Sequence, residues 1–115
     1  MNNLKILTCK GIVLIEINTI IRVEANSNYS KMFFTNGKTL VVAKVLRWFE
    51  ENLADERFVR IHRTHIINKF FIRNYIQGTI RPARGGKVYL ENGEYINVSK
   101  RKRSYFIQSW CRPVA

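Results

Sequence analysis

The sequence has little of what enzyme and metal sites are built from. It contains two histidines, two cysteines and one aspartate in 115 residues, and four of its eight acidic residues lie together at positions 50, 51, 55 and 56. No glycine-rich phosphate loop, no serine–histidine–aspartate order and no facing pair of carboxylates can be assembled from this set. We therefore expect no enzymatic activity and no cofactor.

Long apolar segments are also missing. The longest uninterrupted apolar run spans residues 11–15, whereas a helix that crosses a bilayer needs about 18 apolar residues. Lys5 and Lys10 interrupt the stretch where a signal peptide would have its apolar core. Because nothing indicates secretion, Cys9 and Cys111 are predicted to be reduced, buried thiols. We expect a cytoplasmic protein that makes no membrane contact.

Positive charge is the abundant feature of the sequence. Twenty lysines and arginines against eight acidic residues give a net charge of +12. Residues 1–56 have seven basic and six acidic side chains, whereas residues 57–115 have thirteen basic and two acidic ones. So one-sided an excess favours a polyanionic partner, because solvation of a surface needs only mixed charges. RNA, DNA, acidic lipid and an acidic protein all fit this distribution.

Short strands dominate the residue pattern, which is typical of a mainly β domain with two helices. Asn36-Gly37 and Asn92-Gly93 predict two tight hairpins, because both residue types tolerate a positive φ. Apolar spacing predicts one helix over 44–54, and Ser99 is a good N-cap for a second helix that ends near residue 110. Strands are predicted over 4–9, 13–17, 20–25, 29–35, 38–42, 58–62, 66–67, 71–76, 87–90 and 95–98.

His62 and His65 are the only histidines, and their spacing raises the question of a metal site. On one strand, residues three apart point to opposite faces, and no acidic or cysteine residue nearby completes a ligand set. We therefore expect no bound metal.

Four consecutive cations follow Ser99, at the start of the second predicted helix. Lys100, Arg101, Lys102 and Arg103 occupy its first turn, where the helix dipole disfavours positive charge by up to about 1 kcal/mol per residue. An arriving phosphate would reverse this penalty, because the unpaired N–H groups and the side chains both favour an anion. This placement indicates anion binding over a merely solvated basic turn.

Arg57, Arg60 and Arg63 recur at a spacing of three and lead from a predicted strand into a turn that exposes Arg63. An arginine fork can bind the two major-groove acceptors of guanine, which is worth about 1–3 kcal/mol of discrimination between bases. A surface salt bridge is the alternative for Arg63.

Taken together and in order, the motifs resemble those of the LytTR DNA-binding domain, the output module of many bacterial response regulators. The resemblance covers roughly residues 3–108, and its most specific part is the block around His62 and Arg63 followed by the segment around Ser99. The matching segments are Ile20-Ile21-Arg22-Val23-Glu24-Ala25, Asn28-Tyr29-Ser30-Lys31, Asn36-Gly37-Lys38, Phe58-Val59-Arg60-Ile61-His62-Arg63-Thr64, Ile66-Ile67-Asn68, Asn92-Gly93 and Ile96-Asn97-Val98-Ser99-Lys100-Arg101.

The resemblance implies small antiparallel sheets placed side by side, whose loops enter the major groove in place of a recognition helix. It implies a bacterial transcription regulator that binds specific sequences in double-stranded DNA, often as two copies on direct repeats. Base contacts are expected from Ser30, Lys31, Arg63 and Arg101. Contacts to the DNA backbone are expected from Asn28, Lys69, Arg81, Arg84, Lys87, Ser99, Lys100, Lys102 and Arg103. His62 and Asn68 are expected to orient loops. No small-molecule substrate is implied.

The sequence departs from the family pattern in two respects. His65 occupies a position where the family commonly has a bulky aromatic or aliphatic residue. A receiver domain usually precedes this module, whereas here the module begins almost at Met1. We expect one domain over 1–115 with its core at about 3–108 and no receiver domain, either as a stand-alone binder or as a fragment of a longer regulator. Phosphorylation control is not expected to reside in this chain, because Asp55 is the sole aspartate and ends the acidic helix.

Two other functions stay open at this point. A structural RNA-binding protein would need exposed aromatic rings to stack on unpaired bases, and the phenylalanines (Phe33, Phe34, Phe58, Phe71 and Phe106) occupy core-like positions. A protein-interaction module would dock an acidic partner on the basic face and would depend little on DNA sequence.

Overall fold

The computed structural model describes residues 3–53, 56–76 and 86–110. In these ranges the chain forms short strands and two α-helices, α1 (Leu46–Asn52) and α2 (Arg103–Trp110), with 3-10 turns at Ile17–Thr19, Lys69–Phe71 and Lys100–Lys102. The strands are β1 (Asn3–Thr8), β2 (Gly11–Glu16), β3 (Ile20–Asn26), β4 (Tyr29–Phe34), β5 (Thr39–Val42), β6 (Phe58–His62), β7 (His65–Asn68), β8 (Ile72–Ile76), β9 (Lys87–Leu90) and β10 (Tyr95–Asn97). The predicted fold class, mainly β with two short helices, is confirmed.

Three antiparallel sheets make up the architecture. β1 and β2 form a two-stranded ribbon, β5-β4-β3-β7-β6 form the central sheet, and β10-β9-β8 form a third sheet. Both faces of the central sheet are buried: Ile66 joins an apolar cluster with the ribbon and α1, while Ile67 joins another with the third sheet and α2. Successive strand residues point to opposite faces, which is why these neighbours enter different clusters. The expected arrangement of small sheets side by side is confirmed.

Both predicted Asn-Gly hairpins form. Gly37 connects β4 to β5 with φ +84°, and Gly93 connects β9 to β10 with φ +94°. In each turn the asparagine side chain accepts a hydrogen bond from the backbone N–H two residues later, at Lys38 and at Glu94. These local bonds fix the register of the two hairpins.

Two local predictions are corrected. Helix α1 is shorter than the predicted 44–54. Val45, whose apolar spacing with Leu46 and Phe49 contributed to that prediction, precedes the helix in extended conformation and is 48% exposed. Cys9, predicted to be buried, is exposed because it lies in the turn after β1, beyond the strand face that packs on the core. Cys111 lies outside the described residues.

A buried arginine joins the central and third sheets. The Arg22 side chain is 7% exposed, and its Nε and one terminal nitrogen each donate to a carboxylate oxygen of Glu94 at 3.0 Å. The other terminal nitrogen donates to Glu24 at 2.7 Å, and the guanidinium lies 3.6 Å from the centre of the Phe33 ring. The cation is therefore paired, hydrogen-bonded and stacked, as a buried charge must be.

We expect the Glu94–Arg22 contact to give an acid-dependent part of the stability. The hydrogen bonds from Arg22 hold the pKa of Glu94 below its usual 4.5, so the contact stabilises the fold above that pH. This stabilisation is lost as the pH falls through the lowered pKa of the folded chain. Because the Glu94 side chain is 38% exposed, Glu94→Gln should cost only about 1 kcal/mol at neutral pH.

Thermal unfolding of the unsubstituted chain and of the Glu94→Gln variant, measured between about pH 7 and about pH 2.5, checks this expectation. The difference in Tm between the two should narrow once the pH falls below the ordinary glutamate pKa. A difference that stays constant over the whole range would contradict the assignment to Glu94.

Candidate nucleic-acid interface

Two turns lie side by side at one end of the central sheet. The first, at Ser27 and Asn28, connects β3 to β4, and the second, at Arg63 and Thr64, connects β6 to β7. Since β3 and β7 are antiparallel neighbours, the end of β3 meets the start of β7. The N–H of Ala25 donates to the carbonyl of Thr64 at 2.8 Å, which joins the end of β3 to the second turn.

A third segment is joined to the same end of the sheet. The N–H of Ser99 donates to the carbonyl of Ile61 at 2.8 Å, so the chain between β10 and α2 runs beside the last residues of β6. Ile61 lies two positions before Arg63, and Ser99 lies two positions before Arg101. Both arginines are predicted to contact bases. We call the Ser27–Asn28 turn, the Arg63–Thr64 turn and residues 99–101 the loop edge.

The loop edge contains five of the predicted DNA-contacting residues, namely Asn28, Arg63, Ser99, Lys100 and Arg101. Asn28, Arg63, Lys100 and Arg101 are exposed there, and Lys31 is exposed on β4 three residues after the first turn. Among the described residues, none of the four cations Lys31, Arg63, Lys100 and Arg101 forms an ion pair with a carboxylate, whereas Arg22, Arg47 and Arg60 do. The exposed cations are thus placed to meet an anionic partner.

The prediction for Ser30 needs a correction. This residue is fully buried on β4, and its hydroxyl donates to the carbonyl of Lys44 at 2.6 Å. Its side chain therefore fastens the start of β4 to the segment after β5, and it is not available to a base. Lys31, the next residue, points to the other face of the strand, with its Nζ 5.3 Å from the Phe33 ring.

Lys69 is also misplaced by the sequence prediction. Its Nζ lies 2.9 Å from the hydroxyl oxygen and 3.4 Å from the carbonyl oxygen of Ser109, in the last turn of α2. Lys69 follows β7, whose other end meets the Arg63–Thr64 turn. The ammonium therefore ties a 3-10 turn to α2, away from the loop edge, and this position gives no support to the expected phosphate contact.

Lys87, in contrast, lies beside the third segment of the loop edge. It is exposed at the start of β9, opposite Asn97 at the end of β10, and its Nζ is 4.5 Å from the Tyr95 ring. Arg81 and Arg84, two other predicted backbone contacts, lie outside the described residues.

Ser99 caps the final helical segment as the sequence indicates. Its hydroxyl oxygen accepts a hydrogen bond from the N–H of Lys102 at 3.1 Å, at the start of a 3-10 turn that runs into α2. Lys102 and Arg103 are half-buried, and the Nζ of Lys102 is 6.0 Å from the Tyr105 ring. Four consecutive cations thus begin a helical segment whose first turn adjoins the end of β6.

His62 holds the Arg63–Thr64 turn from one side. Its Nδ1 accepts a hydrogen bond from the N–H of Thr64 at 3.1 Å and lies 3.0 Å from the Thr64 hydroxyl oxygen. Burial, and then the nearby Arg63, lower the pKa of His62 below 6.5. The neutral form is the one that can accept from Thr64, so the environment and the hydrogen bond favour the same state.

Asn68 acts at the other end of β7. It is fully buried, its amide nitrogen donates to the carbonyl of Ile20 at 2.9 Å, and its side-chain oxygen accepts from the N–H of Phe70 at 3.0 Å. Asn68 therefore orients the turn at Lys69–Phe71, not the turn that contains Arg63.

The two histidine rings are neighbours, contrary to the prediction that they point to opposite faces. Their ring centres are 5.5 Å apart, because the turn separates them and a register shift between Arg60 and His62 places His62 opposite His65. Burial is the main cause that lowers the pKa of His65, and its Nδ1 lacks a hydrogen-bond partner among the described residues. Three or more histidine, cysteine or acidic residues placed to hold a metal are not found in the described ranges.

Comparisons with known proteins agree on one family. The model of the LytTr DNA-binding domain family matches residues 10–110. A solved structure, described as the LytTr DNA-binding domain of a response regulator from Bacillus cereus, has a TM-score of 0.78 and 23% sequence identity, and covers 95% of this chain and 96% of its own. A search of curated proteins finds no match.

Neither α-helix in the described ranges has the length and apolar character needed to span a bilayer.

We expect His62 to be neutral at pH 7, with its proton on Nε2, because Nδ1 is the acceptor for Thr64. Acidification through its lowered pKa puts a proton on Nδ1 and removes the acceptor, which loosens the turn. Long-range proton–nitrogen NMR spectra recorded against pH give both the tautomer and the pKa. A proton on Nδ1 at neutral pH, or a pKa above 6.5, would be inconsistent with this role.

Proposed function

Because this chain belongs to the LytTR family of DNA-binding domains, we propose that it binds specific sequences of double-stranded DNA through the loop edge. The observation that carries the proposal is that the Ala25–Thr64 and Ser99–Ile61 hydrogen bonds bring together three segments remote in sequence, two of which contain exposed cations. In this proposal the loops enter the major groove, and the chain acts as the output domain of a bacterial transcription regulator in the cytoplasm.

The contacts are proposed to divide into two kinds. Lys31, Arg63 and Arg101 reach base edges and supply the choice of sequence. Asn28, Lys87, Ser99, Lys100, Lys102 and Arg103 meet phosphates, which makes binding strong and dependent on salt. Arg81 and Arg84 remain proposed phosphate contacts. Ser30 and Lys69 are left out, because both side chains are engaged inside the protein.

The burial of the phenylalanines favours duplex DNA over folded RNA, whose unpaired bases would stack on exposed rings. The phenylalanines named for stacking, Phe33, Phe34, Phe58, Phe71 and Phe106, are half-buried or buried, and the exposed Phe70 lies at the far end of β7. We propose direct repeats, two similarly oriented half-sites that bind two copies, as the DNA target, with no small-molecule substrate or cofactor. Selection of bound duplexes from a random pool at physiological salt yields the site and its symmetry.

We expect Arg63→Ala and Lys102→Ala to weaken binding in different ways. Loss of the Arg63 fork should cost about 1–3 kcal/mol on the selected duplex and little on random DNA, which relaxes sequence preference. Loss of Lys102 should weaken binding to all duplexes about equally and reduce the salt slope by about 1. Gel-shift competition between selected and random DNA, repeated at several salt concentrations, separates the two effects.

Equal losses on selected and random DNA for Arg63→Ala would contradict the division. Tighter binding to folded RNA at matched salt would favour the RNA alternative. Binding that ignores DNA sequence altogether would favour the interaction module.

A further inference from the structure

We propose that Arg60 is a positioning residue that sets sequence preference by holding the Arg63–Thr64 turn in place, without touching DNA itself. This inference rests on the proposed base contact by Arg63. Arg60 lies in β6 with its side chain 23% exposed, at the register shift that precedes the turn. In the sequence, Arg60 is distinguished only by its spacing of three residues from Arg57 and from Arg63.

The guanidinium of Arg60 contacts the backbone of the Arg63–Thr64 turn. One terminal nitrogen donates to the carbonyl of Arg63 at 2.7 Å, and Nε lies 3.4 Å from the carbonyl of His62. Arg63 lies in the turn, so its carbonyl needs a donor from outside the β6–β7 ladder, and His62 is the last residue of β6 in that ladder. Arg60 thus supplies N–H donors to the backbone carbonyls of Arg63, whose side chain is proposed to contact a base, and of the neighbouring His62.

The other terminal nitrogen of Arg60 fixes the guanidinium to helix α1. It donates to Glu50 Oε1 at 2.8 Å. Glu50 lies on α1 next to Phe49, which is fully buried, so the carboxylate is held by a helix that packs on the central sheet. The position of Arg63 is therefore set by reference to α1 through two side chains. Because Glu50 neutralises the cation, Arg60 is poorly suited to bind a phosphate.

The chemistry of this contact requires arginine. Three acceptors, two carbonyls and one carboxylate, surround one planar group whose N–H directions are fixed. A lysine ammonium keeps the charge but cannot satisfy all three in this geometry. His62 completes the support from the other side by accepting from the N–H of Thr64. A bidentate contact to a base requires that the arginine side chain is placed accurately. Loss of the hydrogen bonds from Arg60 or His62 to the turn should therefore reduce discrimination between bases more than it reduces affinity for DNA in general.

The test uses Arg60→Met, which keeps the apolar stem, together with Arg60→Lys and Glu50→Gln. The Glu50–Arg60 pair lines a cavity of about 390 Å³ between α1, β6 and α2, so these side chains fit without overpacking. Arg47→Met is the matched control: Arg47 pairs with Glu51 on the same helix at 3.6 Å and, among the described residues, forms no hydrogen bond or ion pair with the turn. Arg47→Met removes one positive charge, as Arg60→Met does, but leaves the hydrogen bonds from Arg60 to the turn intact.

Affinities for the selected duplex and for random DNA are measured for each variant, alone and combined with Arg63→Ala. We expect Arg60→Met to reduce the ratio of the two affinities roughly tenfold, with little change on random DNA. Arg60→Lys and Glu50→Gln should give smaller losses in the same direction, and Arg47→Met should leave the ratio unchanged. In the Arg63→Ala background, Arg60→Met should have no further effect on the ratio, because the side chain it positions is gone.

The outcomes separate this inference from the proposed function. If Arg63→Ala leaves the ratio unchanged, the proposed base contact fails. If Arg63→Ala lowers the ratio and Arg60→Met does not, only the positioning inference is overturned. If thermal scans show that Arg60→Met is unfolded, the test rests on Glu50→Gln and Arg60→Lys. If both of these variants keep the affinity ratio of the unsubstituted chain, the inference is overturned. An equal loss on both DNAs for Arg60→Met would make Arg60 a phosphate contact and also overturn it.

Discussion

Two backbone hydrogen bonds determine which side chains meet at the loop edge. Ala25 donates to Thr64 and Ser99 donates to Ile61, so three segments that are far apart in the chain end in one place. Bonds between main-chain groups do not depend on the side chains next to them, so the residues that face outward remain open to choice. A scaffold of this kind can keep its loops together while their exposed residues change.

Arginine serves two different purposes in this fold. Arg22 and Arg60 are held by carboxylates and by protein acceptors, so their charges are used within the structure. Arg63 and Arg101 are exposed and, among the described residues, have no carboxylate partner. Desolvation explains the division: a cation inside the fold needs matched partners, whereas a cation at the edge keeps its hydration until an anion arrives. The net charge alone does not distinguish these groups.

Much of the fold follows from local sequence signals. The Asn-Gly turns at 36–37 and 92–93 and the cap at Ser99 involve residues within three positions of each other, so the pattern contains the whole interaction. The burial of Ser30 was also within reach, because it shares a strand face with Met32 at a spacing of two. The family resemblance instead led to the expectation of a base contact from Ser30, although this residue lies within the predicted strand 29–35.

Other features depend on contacts that one sequence does not encode locally. Arg22 meets Glu94 across 72 positions, and Lys69 meets Ser109 across 40. The register shift in β6 changed which face His62 occupies, and simple alternation misses such a shift. The role inferred for Arg60 likewise arises only once α1 is packed beside β6. Sequence therefore identified the cations of the site better than it separated those that face outward from those engaged within the protein.

The most direct test of the account is an NMR titration of the isotope-labelled chain with its selected duplex. If the loop edge is the binding surface, the backbone amides of Asn28, Arg63, Ser99 and Arg101 should shift together and saturate at one stoichiometry. The amides of Phe70, at the far end of β7, and of Lys10, in the β1–β2 turn, should stay in place. Shifts centred on Phe70 and Lys10 would contradict the account. Shifts confined to one of the three loop-edge segments would contradict the claim that these segments form a single DNA-binding surface.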